Sequence, residues 1–479
     1  MPDASSRVPR PRSVPPRTLW DRPVPFRPSL SRSAASHPVR PRSVPFRALA
    51  ALSGAVLTVG LCACAPEAPP EQPVDRVLLS PTADPSTSQT VTWRAAGAEE
   101  AFLEIGPEDG SAEPARVQGQ ATGGEEPGST FAATATGLEP DTAYRYRIGE
   151  SGGGGEASGG GDGGEGGGTG GAVSDWRTFT TAAERAEPFS FLYFGDIQND
   201  ITDEAAPVIR AGLEAAPDAE LAVHSGDLVN SADSGSEWDE WFDAFGPATG
   251  SMNHVATPGN HEYDDGLSEH WVPQFPGAGN GPDQGADMAE TVYHTDYQGV
   301  RFVVLNSNYR EVPQDEAGQW LDTQRRWLER VLADNPHEWT VVTFHHPVFS
   351  ADPDRDNEPL REAWLPVLEE YDVDLVLQGH DHSYTRGNMT EHRSGDPDTH
   401  TGPVYVVAVT GPKTYDAAED NWTDNGAEVR VQRTDTQTFQ TVSVDGDTLE
   451  YRSRAADGQV VDSFTIVKDG DGRRVTDGS

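Results

Sequence analysis

Four short apolar runs beyond residue 185 each stop at a polar turn. Phe189-Ser190-Phe191-Leu192-Tyr193-Phe194 runs into Gly195-Asp196, and Leu221-Ala222-Val223 runs into Gly226-Asp227. Trp339 to Phe344 runs into His345-His346, and Val373 to Leu377 runs into Gly379-His380. Their length, β-branched content and turn residues predict buried strands. Between them, segments from Ile201, Gly318 and Leu360 carry apolar residues at helical spacing. In the second of these helices Trp320, Leu321, Trp327, Leu328, Val331 and Leu332 fall on one face and read as core. Trp238, Trp241 and Phe242 read as the packed side of another helix. Strands alternating with helices predict a layered α/β domain, whose ligands sit beyond the carboxyl ends of the strands.

The first half has a different rhythm. DRVLLSPT, QTVTWRA, AFLEIGP, ARVQGQ, STFAATATGL, DTAYRYRIGE and DWRTFTT are seven short strand patterns with turns between them and no helical segment. Seven such strands predict a β-sandwich with Trp93 as its core aromatic. The Gly-rich tract 152–171 falls between the last two strands and reads as an inserted loop without packing residues. It lacks the Lys and Ser/Thr of a phosphate-binding loop. The fold expected is thus α+β and multidomain, a β-sandwich followed by an α/β domain of layered mixed sheets flanked by helices.

The strand ends carry the chemistry. GDIQND, HSGDLVN, PGNHEY, FHHP and GHDH, in that order, deliver Asp, Asp, Asn and three His. Two divalent ions need one carboxylate able to bridge them, terminal oxygen and imidazole ligands, and room for water. Mixed N/O donors suit Mn, Fe, Zn or Co, and no cysteine lies near these segments. Glycine before Asp196, Asp227, Asn260 and His380 fits sharp turns with close backbone approach. A lone Asp after a strand is ordinarily a turn or helix cap; five segments in this order are not lone residues.

Gly259-Asn260-His261-Glu262, Gly379-His380-Asp381-His382 and GHDHSYTR as a whole resemble the calcineurin-like metallophosphoesterases, most closely the purple acid phosphatase-like branch. The resemblance spans roughly residues 187 to 470. It implies that Asp227 bridges two metals, that Asp196 and His382 hold one ion, and that Asn260, His345 and His380 hold the other. His345 is preferred to His346 because the family's ligand stands two residues before the Pro, here Pro347. His261 is the expected acid for the leaving oxygen, and His346, Tyr384 and Arg386 are candidates for substrate contact. The implied cofactor is two divalent metal ions (Fe, Mn or Zn). The implied reaction is in-line attack of hydroxide on a small phosphate ester. A phosphomonoesterase is expected first. A phosphodiesterase, or a surface-anchored binding protein with a dead site, is the alternative.

Two positions depart from the family. Asn230 stands where purple enzymes place the tyrosine that colours ferric iron, and Gln198 stands where related enzymes place a histidine. Gln198 or Asn230 would supply a neutral carbonyl oxygen instead, which favours divalent ions and a colourless protein. His224 reads as a buried strand histidine. His254, His270, His294, His337, His392 and His400 read as surface or structural. The acidic stretch ADPDRDNEP after His346 reads as a solvated loop near the mouth of the site.

The sandwich resembles a fibronectin type III domain. Leu138 to Tyr146 resembles its tyrosine corner, with Tyr144 as the corner residue. Support for the hydrolase is the expected role, with glycan binding as the alternative. Domains are expected at 1–63 (an Arg/Pro-rich segment plus a lipoprotein-type signal), 64–72 (linker), 73–185 (sandwich), 187–470 (hydrolase) and 471–479 (tail). Ala48 to Ala63 is apolar but short for a membrane span and leads to Cys64, where cleavage and a lipid anchor are expected. A true start near Val44 is also expected. Export to the cell surface or medium follows. Cys62 and Cys64 are the only cysteines, which leaves none for a disulfide in the folded region. The net charge of −43, from 78 Asp and Glu against 35 Lys and Arg, argues against a nucleic-acid partner.

Overall fold

The computed structural model describes residues 74–123, 128–150, 173–282, 286–470 and 472–478. The Arg/Pro-rich segment, the apolar run with Cys62 and Cys64, and the Gly-rich tract 152–171 lie outside the described residues. Among the described residues no helix is long and apolar enough to cross a membrane.

The seven strand patterns of the first half all form strands, the fourth split into Ala115–Gln118 and Gln120–Gly123. One face of the sandwich is Val74–Ser80, Ser88–Ala96, Gly128–Thr136 and Gln120–Gly123; the other is Ala115–Gln118, Ala101–Pro107, Ala143–Glu150 and Arg177–Thr180. Trp93 is fully buried between them and stacks on Phe131 at 6.0 Å. At the corner, the Glu139 N–H donates to Tyr144 Oη at 2.9 Å.

The chain beyond residue 185 stacks two sheets. In one, Phe189–Phe194, Leu221–His224 and Asn253–Ala256 are parallel neighbours, extended by C-terminal antiparallel strands. In the other, Val300–Val304, Trp339–Thr343, Leu375–Gln378 and Val404–Val407 run parallel. Phe191, Tyr193, Val223, Val341, Leu377 and Val406 fill the space between the sheets. Helices Ala206–Ala215 and Gly235–Phe245 cover one outer face, and Ala317–Ala333 and Glu358–Glu370 the other. Each helix turns its apolar stripe inward, which is why the 3.6-residue spacing was readable. Trp320 departs from that face: it is only partly buried and its indole N–H donates to Asn306 O at 3.0 Å.

Contrary to the sequence expectation, residues 472–477 are not a loose tail. Gly472–Asp477 pairs antiparallel with Val460–Asp469, with Val475 fully buried. The sandwich, expected to support the hydrolase, also shares a sheet with it. Val74–Ser80 lies parallel to Asn253–Ala256, so one twelve-stranded sheet runs through both. Gln89 Nε2 donates to Asn253 Oδ1 at 2.8 Å, and Tyr146 Oη to Gly250 O at 2.7 Å. The strand that ends at the Asn260 loop is therefore braced from the sandwich side.

Candidate metal centre

Every candidate ligand leaves the carboxyl end of a parallel strand. Asp196 follows Phe189–Phe194, Asp227 follows Leu221–His224, and Asn260 follows Asn253–Ala256. His345 follows Trp339–Thr343, and His380 and His382 follow Leu375–Gln378. The turns are tight enough that Asp196, Asp227, His380 and His382 all have left-handed backbone, with φ of 45°, 53°, 76° and 47°. Such residues each store about 1–3 kcal/mol, held by the surrounding fold. The glycines leave room for the ligands of neighbouring loops. A Cβ on Gly259 would lie 2.1 Å from Asp227 Oδ1, and one on Gly379 would lie 2.4 Å from Asp196 Oδ2.

The result is two clusters sharing one carboxylate. Asp227, His345 and His380 present ligand atoms within 4.8 Å of one another, and so do Asp196, Asp227 and His382. Asn260 Oδ1 lies 3.3 Å from His345 Nε2, which brings it to the first cluster. The outer shell fixes which nitrogens face inward. His345 Nδ1 lies 2.8 Å from Ser225 O, and His382 Nδ1 lies 2.9 Å from Lys413 O. Each ring thus directs Nδ1 to a carbonyl and turns Nε2 to the centre, the arrangement metal-binding imidazoles take.

Burial holds His380 well below the usual histidine range and His382 at about 3. Burial also raises Asp196, with His345 opposing it and Asp227 adding to it. Burial works against the charged form of Asp227 too, yet His345 and the His261 N–H hold it ionised. For His345, burial is outweighed by Asp227 and Asp196, which push it to about 9. The raised pKa values of Asp196 and His345 place protons where buried carboxylates need positive charge, and a pair of divalent cations would meet the same need.

Gln198 is fully buried inside the second cluster, its amide Nε2 2.7 Å from Asp227 Oδ2 and 3.2 Å from His382 Nε2. Its Oε1 is buried without a partner, and a half-turn of the amide would aim that oxygen at the cluster. Gln198 therefore fits as a neutral ligand. Asn230 does not: its Oδ1 accepts from Asn199 Nδ2 at 2.8 Å, away from the clusters. Its backbone carbonyl instead lies 2.7 Å from His261 Nδ1. The partly exposed His261 is held a second time through its backbone N–H, which donates to Asp227 Oδ1 at 2.9 Å.

Three substrate-contact expectations change. Tyr384 and Arg386 are fully buried on the strand Tyr384–Met389 and point between the sheets. Tyr384 Oη donates to Asp462 Oδ2 at 2.7 Å, and Arg386 clamps the same carboxylate at 2.6 and 3.0 Å. Once the chain leaves the GHDH turn it is a strand, and alternate side chains face the core. His346 is 2% exposed, with Nδ1 3.0 Å from Ser307 Oγ and its ring 4.2 Å from that of His380. It buttresses His380 rather than facing the opening.

Sequence reasoning gave no role to Glu262 and Asp381, although both lie inside the motifs. Glu262 is fully buried and accepts the N–H groups of Gly259, Asp227, Leu228 and Val229 at 2.6 to 3.2 Å. It ties the Asp227 and Asn260 loops together. Asp381 accepts from Ala351 N at 2.6 Å and Ser350 Oγ at 3.0 Å. This anchors the acidic loop, so that Arg355 reaches the His380 carbonyl. The signal available was a carboxylate beside each ligand in GNHE and GHDH.

Residues 189–384 match the family described as Calcineurin-like phosphoesterase, and residues 74–181 match Purple acid Phosphatase, N-terminal domain. An uncharacterized protein of Mycobacterium tuberculosis is 27% identical over 299 residues, covering 57% of this chain and 53% of its own. Purple acid phosphatase 15 of Arabidopsis thaliana is 23% identical over 315 residues, covering 61% and 55%. The chain thus spans about half the length of these curated relatives. The fold is similar to that of a purple acid phosphatase from yellow lupin (Lupinus luteus) seeds, with a TM-score of 0.67 at 19% identity, over 83% of this chain and 75% of that one. The chain thus carries a Calcineurin-like phosphoesterase domain behind a purple acid phosphatase N-terminal domain.

Proposed function

We propose that the protein is an exported hydrolase of small phosphate esters that works with two divalent metal ions. The observation that carries this reading is the pair of ligand clusters sharing Asp227, with His261 at their partly exposed edge. Asp196, Asp227, His382 and Gln198 would hold one ion, and Asp227, Asn260, His345 and His380 the other. When bound, such a pair lowers the pKa of water and neutralises phosphoryl oxygens. His261 keeps its Nδ1 proton on the Asn230 carbonyl, so its Nε2 is the atom that passes a proton to the leaving oxygen. Glu262 and the sandwich hold the loops in register, a positioning role.

Export rests on the sequence before Cys64, and resemblance to phosphatases favours a monoester over a diester. With Asn230 turned to Asn199 and only amide oxygens available in addition, divalent ions and a colourless protein are expected. The test is hydrolysis of p-nitrophenyl phosphate and its bis-ester by protein produced from about Glu71, with Mn, Zn or Fe supplied. Turnover that needs metal and disappears in Asp227→Ala supports the reading. Folded protein inactive with every metal overturns it.

A further inference from the structure

The helix Gly235–Phe245 opens on Ser234-Gly235-Ser236-Glu237, the spacing of a capping box, in which the glutamate ordinarily turns back onto the first residue's N–H. Half of that box forms: Ser234 Oγ accepts the Glu237 N–H at 3.3 Å. The carboxylate goes elsewhere. Its Oε2 accepts the N–H groups of Asn230 and Ser231 at 2.7 and 3.0 Å, while the Ser234 N–H donates to Ser231 O at 3.0 Å. The Asn230 carbonyl and the Ser231 N–H belong to one peptide unit. That unit is therefore held at both ends, by Glu237 on its N–H and by His261 Nδ1 on its carbonyl at 2.7 Å. Behind the carboxylate the helix is fixed. Trp238 is fully buried with its indole N–H on Ala232 O at 2.8 Å. Arg76 of the sandwich, itself buried, donates to Gly235 O at 2.6 Å and to Asp239 Oδ1 at 2.7 Å. Glu237 thus joins a fixed helix to the carbonyl that orients the His261 ring.

We propose that Glu237 is a positioning residue for His261, through a carboxylate–peptide–imidazole chain that aims Nε2 at the leaving oxygen. The role deepens the hydrolase reading and rests on it. A carboxylate that accepts backbone N–H groups makes charge-assisted contacts, and hydrogen bonds in a chain strengthen one another. A peptide unit held at both ends does not turn its carbonyl away from the imidazole, so the ring keeps one orientation. The metal side of the same loop is held separately, because Glu262 accepts the N–H groups of Asp227, Leu228 and Val229. The two glutamates divide the loop: Glu262 serves the bridging carboxylate and Glu237 the acid.

The experiment measures kcat/KM on an alkyl phosphate and on p-nitrophenyl phosphate with the metal-loaded full chain. The proteins are wild type, Glu237→Ala, Glu237→Gln, His261→Ala and the Glu237→Ala, His261→Ala double variant. Only the alkyl ester needs the acid, so the alkyl-to-aryl ratio should fall about tenfold in Glu237→Ala, the scale of one lost hydrogen bond. Glu237→Gln, whose amide oxygen can accept both N–H groups, should keep the ratio. With His261 absent, Glu237→Ala should lower the ratio no further, since residues acting as one unit are not additive. Equal losses on both esters, or a fall in the ratio that persists without His261, would be general loosening of the loop and overturn the proposal. Wild type inactive on both esters would overturn the hydrolase reading instead. The His261 Nδ1–H resonance then decides the positioning role: a proton protected in wild type and exchanging in Glu237→Ala upholds it, and protection in both overturns it.

Discussion

Asp462→Ala separates a structural role for Tyr384 and Arg386 from a catalytic one. The Asp462 side chain is 3% exposed and that of Arg386 1%. The carboxylate accepts two hydrogen bonds from the guanidinium and one from the tyrosine. Its removal leaves the cation buried with Asp477 alone, at 2.9 Å from Nη1. Breaking a buried pair by deleting one partner costs about 3–5 kcal/mol. The surviving Asp477 contact places this case near the lower figure, about 3 kcal/mol, or a fall in Tm of about 5 °C for a unit of this size. Arg386→Met combined with Asp462→Leu removes both charges and should recover most of the loss. The assay is thermal unfolding of the three variants beside wild type, with KM measured on the folded fraction. KM should stay within about twofold, since both side chains face the sheet interior. Arg386→Met that raises KM severalfold without moving Tm would refute the reasoning.

Other outcomes follow from neighbouring groups. His261→Ala should slow hydrolysis of an alkyl phosphate by about a hundredfold or more, and that of p-nitrophenyl phosphate far less, because only the poor leaving group needs the proton; equal losses on both would count against an acid role. Glu262→Gln places an amide N–H among four backbone donors and should weaken metal binding about 10- to 100-fold by titration; unchanged affinity would deny its positioning role. His224 and His254 stack in the aromatic core, with Nε2 and Nδ1 2.9 Å apart. Burial holds His254 at about 4 and His224 well below its usual range. The neutral form of His254 contributes stability that is complete above the unfolded value near 6.5 and is lost as pH falls through about 4, at about 1.4 kcal/mol per pH unit, and His224 acts in the same direction. His254→Leu should flatten the acid limb of a Tm–pH curve, and an unaltered limb would contradict this.

The candidate metal centre was legible because each candidate ligand ends an apolar run, so local pattern and chemistry coincide. Trp93 and Tyr144 were legible for the same reason, each being tied to its own strand. Tyr384 and Arg386 were misread because motif spacing cannot show that the backbone has already entered a strand with inward-facing alternate positions. Asn230 was half legible: its distance from Asp227 is local, but its rotation toward Asn199 depends on another loop. The pairing of Leu79 with Asn253 joins segments far apart in the chain, and no periodicity reports such a partner. Residues 472–477 looked like a tail because their one buried apolar side chain, Val475, gains meaning only beside Ile466.

The central claim is a two-metal centre built around Asp227, and its most direct test is the metal content of the purified protein by elemental analysis after divalent loading and desalting. Two ions per chain are expected in wild type, with fewer than one retained in folded Asp227→Ala. One ion or none in wild type, or two retained in Asp227→Ala, would contradict the account.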